Sequence, residues 1–245
     1  MKGIVLAGGT GSRLKPLTNV TNKHLLPVGK YPMIFYPIYR LKQAEITEIL
    51  IVTGREHMGD VMELLGSGSE YGVDFIFKVQ DTAGGIAQAL GLAEHFVNGE
   101  RCIVILGDNI FQDDITPYIN SFVKQEIGAK ILLKEVSAPQ RFGVAELKDG
   151  NIVSIEEKPQ NSKSNFAVTG VYMYDSNVFK IVKILKPSAR GELEITDINN
   201  AYIKRGELTY DILKGWWTDA GTPESLFQAN ELCKDIELDF GNGKV

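Results

Sequence analysis

Four short apolar runs recur in the first 110 residues: Gly3–Ala7, Ile49–Thr53, Phe75–Val79 and Cys102–Leu106. They are continuous rather than alternating, and most are rich in β-branched residues. That is the pattern of parallel strands buried on both faces. Helix-length segments separate them, at about Met33–Gln43, Met58–Leu65 and Ile86–His95. In the last, Ile86, Leu90 and Ala93 fall at i, i+4 and i+7, on one helical face. Strands and helices that alternate in this way fold through right-handed crossovers into a largely parallel sheet.

After Ile110 the pattern changes. Ile131–Val136, Gly143–Leu147, Ile152–Glu156 and Ala167–Tyr174 read as strands, with Asp149-Gly150 as a hairpin turn. Asp175 or Ser176 is expected to cap a helix carrying Val178, Phe179, Val182 and Leu185, stopped by Pro187. Ile195, Ile198 and Tyr202 mark a further helix ending near Gly206. The last helix opens with Thr222 as cap and Pro223 in its first position. No linker or repeat divides the chain. A single α/β domain is expected over 1–245, with a nucleotide-binding half at about 1–110 and a sugar-binding half at about 111–245.

The excess of 31 Asp+Glu over 26 Lys+Arg gives a net charge of −5, which argues against a nucleic-acid partner. A small anionic ligand needs only a few local cations. Two cysteines, Cys102 and Cys233, cannot build a disulfide framework and read as buried or neutral thiols. Only four consecutive apolar residues, Ile4–Ala7, precede the glycine cluster that begins at Gly8, and no run approaches a membrane span. A cytoplasmic, soluble protein is expected.

The densest chemical signal is Leu6-Ala7-Gly8-Gly9-Thr10-Gly11-Ser12-Arg13, a glycine loop leaving a buried strand. Glycine lets backbone N–H groups surround phosphate oxygens. Leu14 stands where a dinucleotide fingerprint needs its third glycine, and no Walker A pattern occurs. Arg13 and Lys23 add cations beyond the loop. Asp108, in Gly107-Asp108-Asn109 after a core strand, suits Mg²⁺, which takes one or two carboxylates plus substrate phosphates. Asp219, before the helix at Thr222, is a second candidate. Each of these reads equally as a turn residue. Glu156-Glu157-Lys158-Pro159 and Arg190-Gly191-Glu192-Leu193-Glu194 place cations beside acids, as surface pairs or as phosphate sites. His24, His57 and His95 have no metal-ligand spacing, and no Gly-x-Ser-x-Gly elbow occurs.

Together these stretches resemble the sugar-nucleotidyltransferase family, and within it the glucose-1-phosphate thymidylyltransferases. The resemblance is carried by LAGGTGSRLKPLT (6–18), NKHLLPVGKYPMIFYP (22–37), ILGDNIF (105–111), EEKP (156–159) with KSNFAVTGVY (163–172), GELEITDIN (191–199) and WTDAGT (217–222). It implies a Rossmann-like α/β fold, with a mixed, mostly parallel sheet flanked by helices. It implies a Mg²⁺-dependent transfer from dTTP to glucose 1-phosphate that yields dTDP-glucose and pyrophosphate, the first step of dTDP-rhamnose-type sugar synthesis.

In residues, the resemblance implies that Leu6, Gly8, Gly9, Thr10, Gly11, Gln80 and Gly85 bind the nucleotide. Asn109, Gly143, Glu157, Val168 and Thr169 would bind the sugar. Arg13, Lys23, Asp108, Lys158 and Asp219 would serve catalysis, with Asp108 and Asp219 on the metal. Phe142 stands where relatives often show tyrosine, and Ala83 where a proline is common. The expected partners are the two small-molecule substrates and further copies of the chain, with neither nucleic acid nor membrane. Longer relatives carry a C-terminal helical extension tied to a regulatory nucleotide site. This sequence ends at Val245, so inhibition by downstream dTDP-sugars is expected to compete with dTTP. A UTP-dependent transferase and a catalytically silent nucleotide-sugar-binding subunit are the alternatives. A dehydrogenase is disfavoured by Leu14.

Overall fold

The computed structural model describes residues 1–241. Residues 242–245, where the regulatory expectation places the chain end, lie outside the described residues. Among the described residues nine strands form one mixed sheet flanked by helices. Lys2–Ala7 lies between Glu48–Gly54 and Cys102–Leu106, parallel to both, and Asp74–Gln80 follows parallel to Glu48–Gly54. Val5 and Ala7 join one hydrophobic cluster, Ile4 and Leu6 a second on the opposite face. Both faces of these strands are dry, which is why their sequences run apolar without alternation.

Phe166–Tyr174 joins the halves. It runs antiparallel to Cys102–Leu106 and to Ala129–Glu135, and eight of its nine residues are buried. Gly143–Lys148 and Asn151–Glu157 form the foreseen hairpin, with Asp149 and Gly150 both at positive φ, as a type I′ turn requires. Pro223–Cys233 is capped by Thr222, whose hydroxyl accepts from Ser225 N. Cys102 and Cys233 are both buried and free.

Three expectations shift. The helix foreseen over Ile86–His95 is two pieces, Ile86–Gly91 and Glu94–Val97. Gly91 ends the first, and a Cβ there would stand 3.0 Å from Val182 Cγ1. The bare glycine lets Val178–Val182 pack close, at the expense of helix propensity. That second helix stops at Val182, short of Leu185, and Asn177 holds its cap position; Asp175 instead accepts from Asn177 N at 3.0 Å. Elements with no period in the sequence also appear. They are the helix Thr116–Val123, the edge strand Leu208–Ile212, and a small ribbon of Asn109–Phe111 against Trp217–Asp219.

Candidate active site

The cleft, about 310 Å³, opens beyond the carboxyl ends of Lys2–Ala7 and Cys102–Leu106. Its size falls within the usual range for small-molecule sites, and this is where open α/β sheets bind ligands. The glycine loop forms one wall. Gly9 and Gly11 hold φ of 94° and 60°, a left-handed backbone that side-chain residues resist. A Cβ at Gly8 would lie 2.6 Å from Gln80 Oε1. Thr18 Oγ1 donates to Gly11 O at 2.8 Å and fixes the loop's exit.

Lys23 reaches the cleft through a buried brace. Asn22 Nδ2 donates to Ala7 O at 3.3 Å, and Asn22 Oδ1 accepts from His24 N at 2.9 Å and His24 Nδ1 at 2.7 Å. His24 is 1% exposed. Burial first, and then the charge of Lys23, press its pKa down to about 3, so it is a neutral strut at ordinary pH. A Cβ at Gly107 would sit 2.6 Å from the His24 ring, so the glycine before Asp108 makes room for it. Lys23 Nζ then meets Asp108 Oδ2 at 2.5 Å.

The ribbon explains how two carboxylates far apart in sequence share one wall. Asp219 lies directly across from Asn109, next to Asp108, and Ala220 N donates to Asp108 O at 2.8 Å. Burial favours a neutral Asp108, but the Lys23 charge and hydrogen bond overcome it and hold the carboxyl well below its usual range. Asp219 goes the other way. Burial and then the neighbouring Asp108 charge raise it from 3.8 to about 6, against the pull of Arg141 and Arg13. A Cβ at Gly221 would stand 2.8 Å from Arg13, so the guanidinium lies over this turn.

Asp219 is ionised at pH 7 only at a cost to the fold, because the native state takes up its proton near pH 6 and the unfolded chain near 3.8. In EDTA, Asp219→Asn is therefore expected to be more stable than the parent at pH 7.5 by roughly 2–3 kcal/mol. The gain should fade as pH drops through 6 and vanish below 4. Urea unfolding of both proteins across that range checks it. A pH-independent difference would mean that Asp219 is not held in this strained state.

Also on the cleft lining, Glu157 Oε2 accepts from Thr196 Oγ1 at 2.7 Å, and Lys158 Nζ stands 3.8 Å from Glu157 Oε1. Lys158 has a positive φ of 46°, unusual for a side-chain residue, and its N–H donates to Phe142 O at 3.0 Å. Asn109 Nδ2 donates to Asp108 Oδ1, and its Oδ1 accepts from Gly170 N and Trp217 Nε1. These bonds tie Asn109 to the facing strand of the ribbon and to Phe166–Tyr174, and it lines the cleft. Arg190 lies just outside, with its guanidinium paired on Glu194.

Most of the sequence-derived candidates meet here. Leu6, Gly8, Gly9, Arg13, Lys23, Gln80, Gly85, Asp108, Asn109, Gly143, Glu157, Lys158, Val168 and Asp219 all line the cleft. Thr10 and Gly11 complete the loop but lie outside that wall. Thr169 is turned away, fully buried with Oγ1 donating to Leu132 O at 2.8 Å, because neighbouring strand residues face opposite sides. Arg141, absent from the sequence candidates, enters the cleft. It pairs with Asp219 at 3.6 Å and lies over Phe142, whose ring meets Trp217 edge-on at 4.9 Å. Only its place one residue before Phe142 in the motif region could have drawn attention to it.

A glycine loop, convergent cations and paired carboxylates at the carboxyl ends of parallel strands define a site for transferring a nucleotidyl group. Residues 2–235 match the nucleotidyl transferase family, to which the chain belongs. It is 44% identical over 241 residues to a glucose-1-phosphate thymidylyltransferase of Neisseria meningitidis, covering 97% of this chain and 84% of that one. A crystal structure from Bacillus anthracis, provisionally described as a glucose-1-phosphate thymidylyltransferase with bound sucrose, is 64% identical with a TM-score of 0.95, over 98% and 97% of the two chains. A UDP-glucose pyrophosphorylase with bound UDP-glucose is 25% identical with a TM-score of 0.84, over 94% and 97%.

Proposed function

We propose that this enzyme transfers the thymidylyl group of dTTP to glucose 1-phosphate, giving dTDP-glucose and pyrophosphate at the head of dTDP-sugar synthesis. The observation that carries this reading is one cleft lined by the Asp108–Asp219 pair together with Arg13, Lys23 and Lys158. The first half, to about residue 110, would hold the nucleotide and the second half the sugar phosphate.

A phosphate oxygen of glucose 1-phosphate forms the new bond to the α-phosphorus. The bond from that phosphorus to the bridging oxygen of the β-phosphate breaks, and the electron pair leaves with pyrophosphate. The attacking oxygen is already anionic at neutral pH, so no general base is needed, in keeping with a neutral, buried His24. The barrier lies in bringing two polyanions into line, which positioned cations lower. Arg13 and Lys23 serve the triphosphate and Lys158 the sugar phosphate.

The donor set fits Mg²⁺. Two hard carboxylates repel each other across one wall, and among the described residues no third acid, histidine or cysteine joins them into a protein-only cage. Bound there with substrate phosphates, Mg²⁺ would screen the charge that builds on the α-phosphate and pyrophosphate.

We place the enzyme in the cytoplasm, as a homo-oligomer. Among the described residues no helix is long and apolar enough to cross a membrane. A uridylyltransferase is the second reading, favoured by the likeness to UDP-glucose pyrophosphorylase. Thymine and uracil differ by one methyl, worth about 1–3 kcal/mol in a pocket. Pyrophosphate release from four nucleoside triphosphates against several sugar 1-phosphates tests the reading. The dTTP and glucose 1-phosphate pair should give the largest kcat/KM, and a preference for UTP would replace it by the second.

Lys158 should separate the two substrates. Lys158→Ala is expected to raise the KM for glucose 1-phosphate by about tenfold or more and to leave that for dTTP within about twofold. Equal small effects on both would reduce it to a surface partner of Glu157.

A further inference from the structure

Gln80 presents only one half of its amide to the cleft. Its Nε2 donates to Gly85 O at 3.3 Å and to Gln88 Oε1 at 2.8 Å. A backbone carbonyl can only accept. Gln88 Oε1 is itself fixed as an acceptor, because it also takes the Gly84 N–H at 3.0 Å. The far end of the Gln88 amide, Nε2, donates to Thr82 Oγ1 at 3.3 Å. Backbone groups thus set the direction of the whole relay, and both hydrogens of Gln80 Nε2 are used. Gln80 Oε1 faces Gly8 and the cleft with no donor on it among the described residues.

The local backbone is built for this relay. A Cβ at Gly84 would stand 2.5 Å from the Gln88 amide, so only glycine admits that side chain against the loop. A Cβ at Gly85 would meet Leu193 O at 2.4 Å, and Leu193 N donates to Gly84 O at 2.8 Å, so the loop is pinned to the opposite segment.

We propose that Gln88 is a positioning residue for base selection: by holding the Gln80 amide in one orientation, it leaves a lone acceptor in the cleft that admits a pyrimidine whose ring nitrogen at the pairing edge carries hydrogen and rejects one whose nitrogen is bare. Thymine and uracil present N3–H there. Cytosine presents a lone pair, which would face the Gln80 oxygen without a hydrogen between them. The inference rests on the nucleotidyl-transfer reading, with the base seated beside Gln80. It goes further in assigning the selection to a residue that does not itself line the cleft wall. A site built to pair a ring N–H discriminates strongly against an analogue that lacks it.

The test compares dUTP with dCTP, which share the bare 5-position and differ at the N3–C4 edge. It uses kcat/KM with glucose 1-phosphate and, independently, Kd by calorimetry. The parent should favour dUTP by a factor on the order of 10³ or more. Gln88→Leu removes the shorter of the two acceptors on Gln80 Nε2 and leaves only Gly85 O at 3.3 Å to hold the amide, so the ratio should fall by about tenfold or more. Gln88→Glu keeps acceptors for both Gly84 N–H and Gln80 Nε2 and should preserve the ratio within about threefold. Gln88→Lys offers only donors and should draw the Gln80 oxygen away, moving the preference toward dCTP; it gives the same readout if Gln88→Leu does not fold.

A ratio unmoved in Gln88→Leu or Gln88→Lys, or equal losses on both nucleotides, would overturn the inference and leave Gln88 as loop packing. A parent that turns over no pyrimidine nucleotide yet binds dUTP in preference to dCTP, with that preference lost in Gln88→Leu, would overturn the transfer reading and uphold the base-selection one.

Discussion

Asp108→Asn and Asp219→Asn are each expected to lower kcat by about 10²–10³-fold, roughly 3–4 kcal/mol of barrier, while both proteins fold cooperatively. The two carboxylates carry negative charge on the cleft lining: Asp219 ends one ribbon strand and pairs with Asn109, and Asp108 directly precedes the other strand. The substitutions keep the shape but remove the charge and one acceptor oxygen, so the loss reports polar interactions rather than packing. The two variants should differ in stability. Asp219→Asn relieves a carboxylate that burial and Asp108 hold in strain, whereas Asp108→Asn takes the counter-charge from Lys23. Steady-state rates at saturating Mg²⁺, with circular dichroism as the fold control, check this. Unchanged kcat in both would remove the carboxylate pair from the chemistry.

Lys23→Met should act on both stability and rate. Lys23 and Asp108 meet at 2.5 Å with side chains only 14% and 12% exposed. Removing one partner of such a pair leaves a buried charge uncompensated, at about 3–5 kcal/mol. Without Lys23, burial should win over Asp108 and move its carboxyl above the range in which Lys23 now holds it. The variant should therefore regain stability relative to the parent as pH falls and Asp108 takes up a proton. Mg²⁺ should also restore part of the loss at pH 7.5, by replacing one cation with another. Catalysis should not recover, because the positioned ammonium is gone. Unfolding with and without Mg²⁺ at two pH values separates these effects; a loss that neither acid nor Mg²⁺ offsets would point to packing instead.

The buried strands were legible because the physics that forms them leaves a continuous apolar run, and Cys102–Leu106 matches to the residue, as does the helix Met58–Leu65. The glycine loop and the Thr222 cap were legible because each needs a particular residue type for a local backbone reason. The ribbon was not, since three-residue strands carry no period, yet it alone brings Asp219 beside Asp108. Val168 and Thr169 show what strand alternation adds: as neighbours in Phe166–Tyr174 they cannot both face the cleft, and Val168 is the one that does. Arg141 lies in a short turn, Pro139–Arg141, with no pattern of its own, and its pairing with Asp219 is purely tertiary.

Glucose 1-phosphate labelled with ¹⁸O at all four phosphate oxygens offers the most direct test of the central claim. Turnover with unlabelled dTTP and Mg²⁺, followed by mass spectrometry, should place all four labels in dTDP-glucose and none in the released pyrophosphate. A sugar-phosphate oxygen attacks the α-phosphorus, and no bond within the sugar phosphate breaks. Label in the pyrophosphate, or a sugar nucleotide lacking the labelled C1 oxygen, would contradict nucleotidyl transfer at this site.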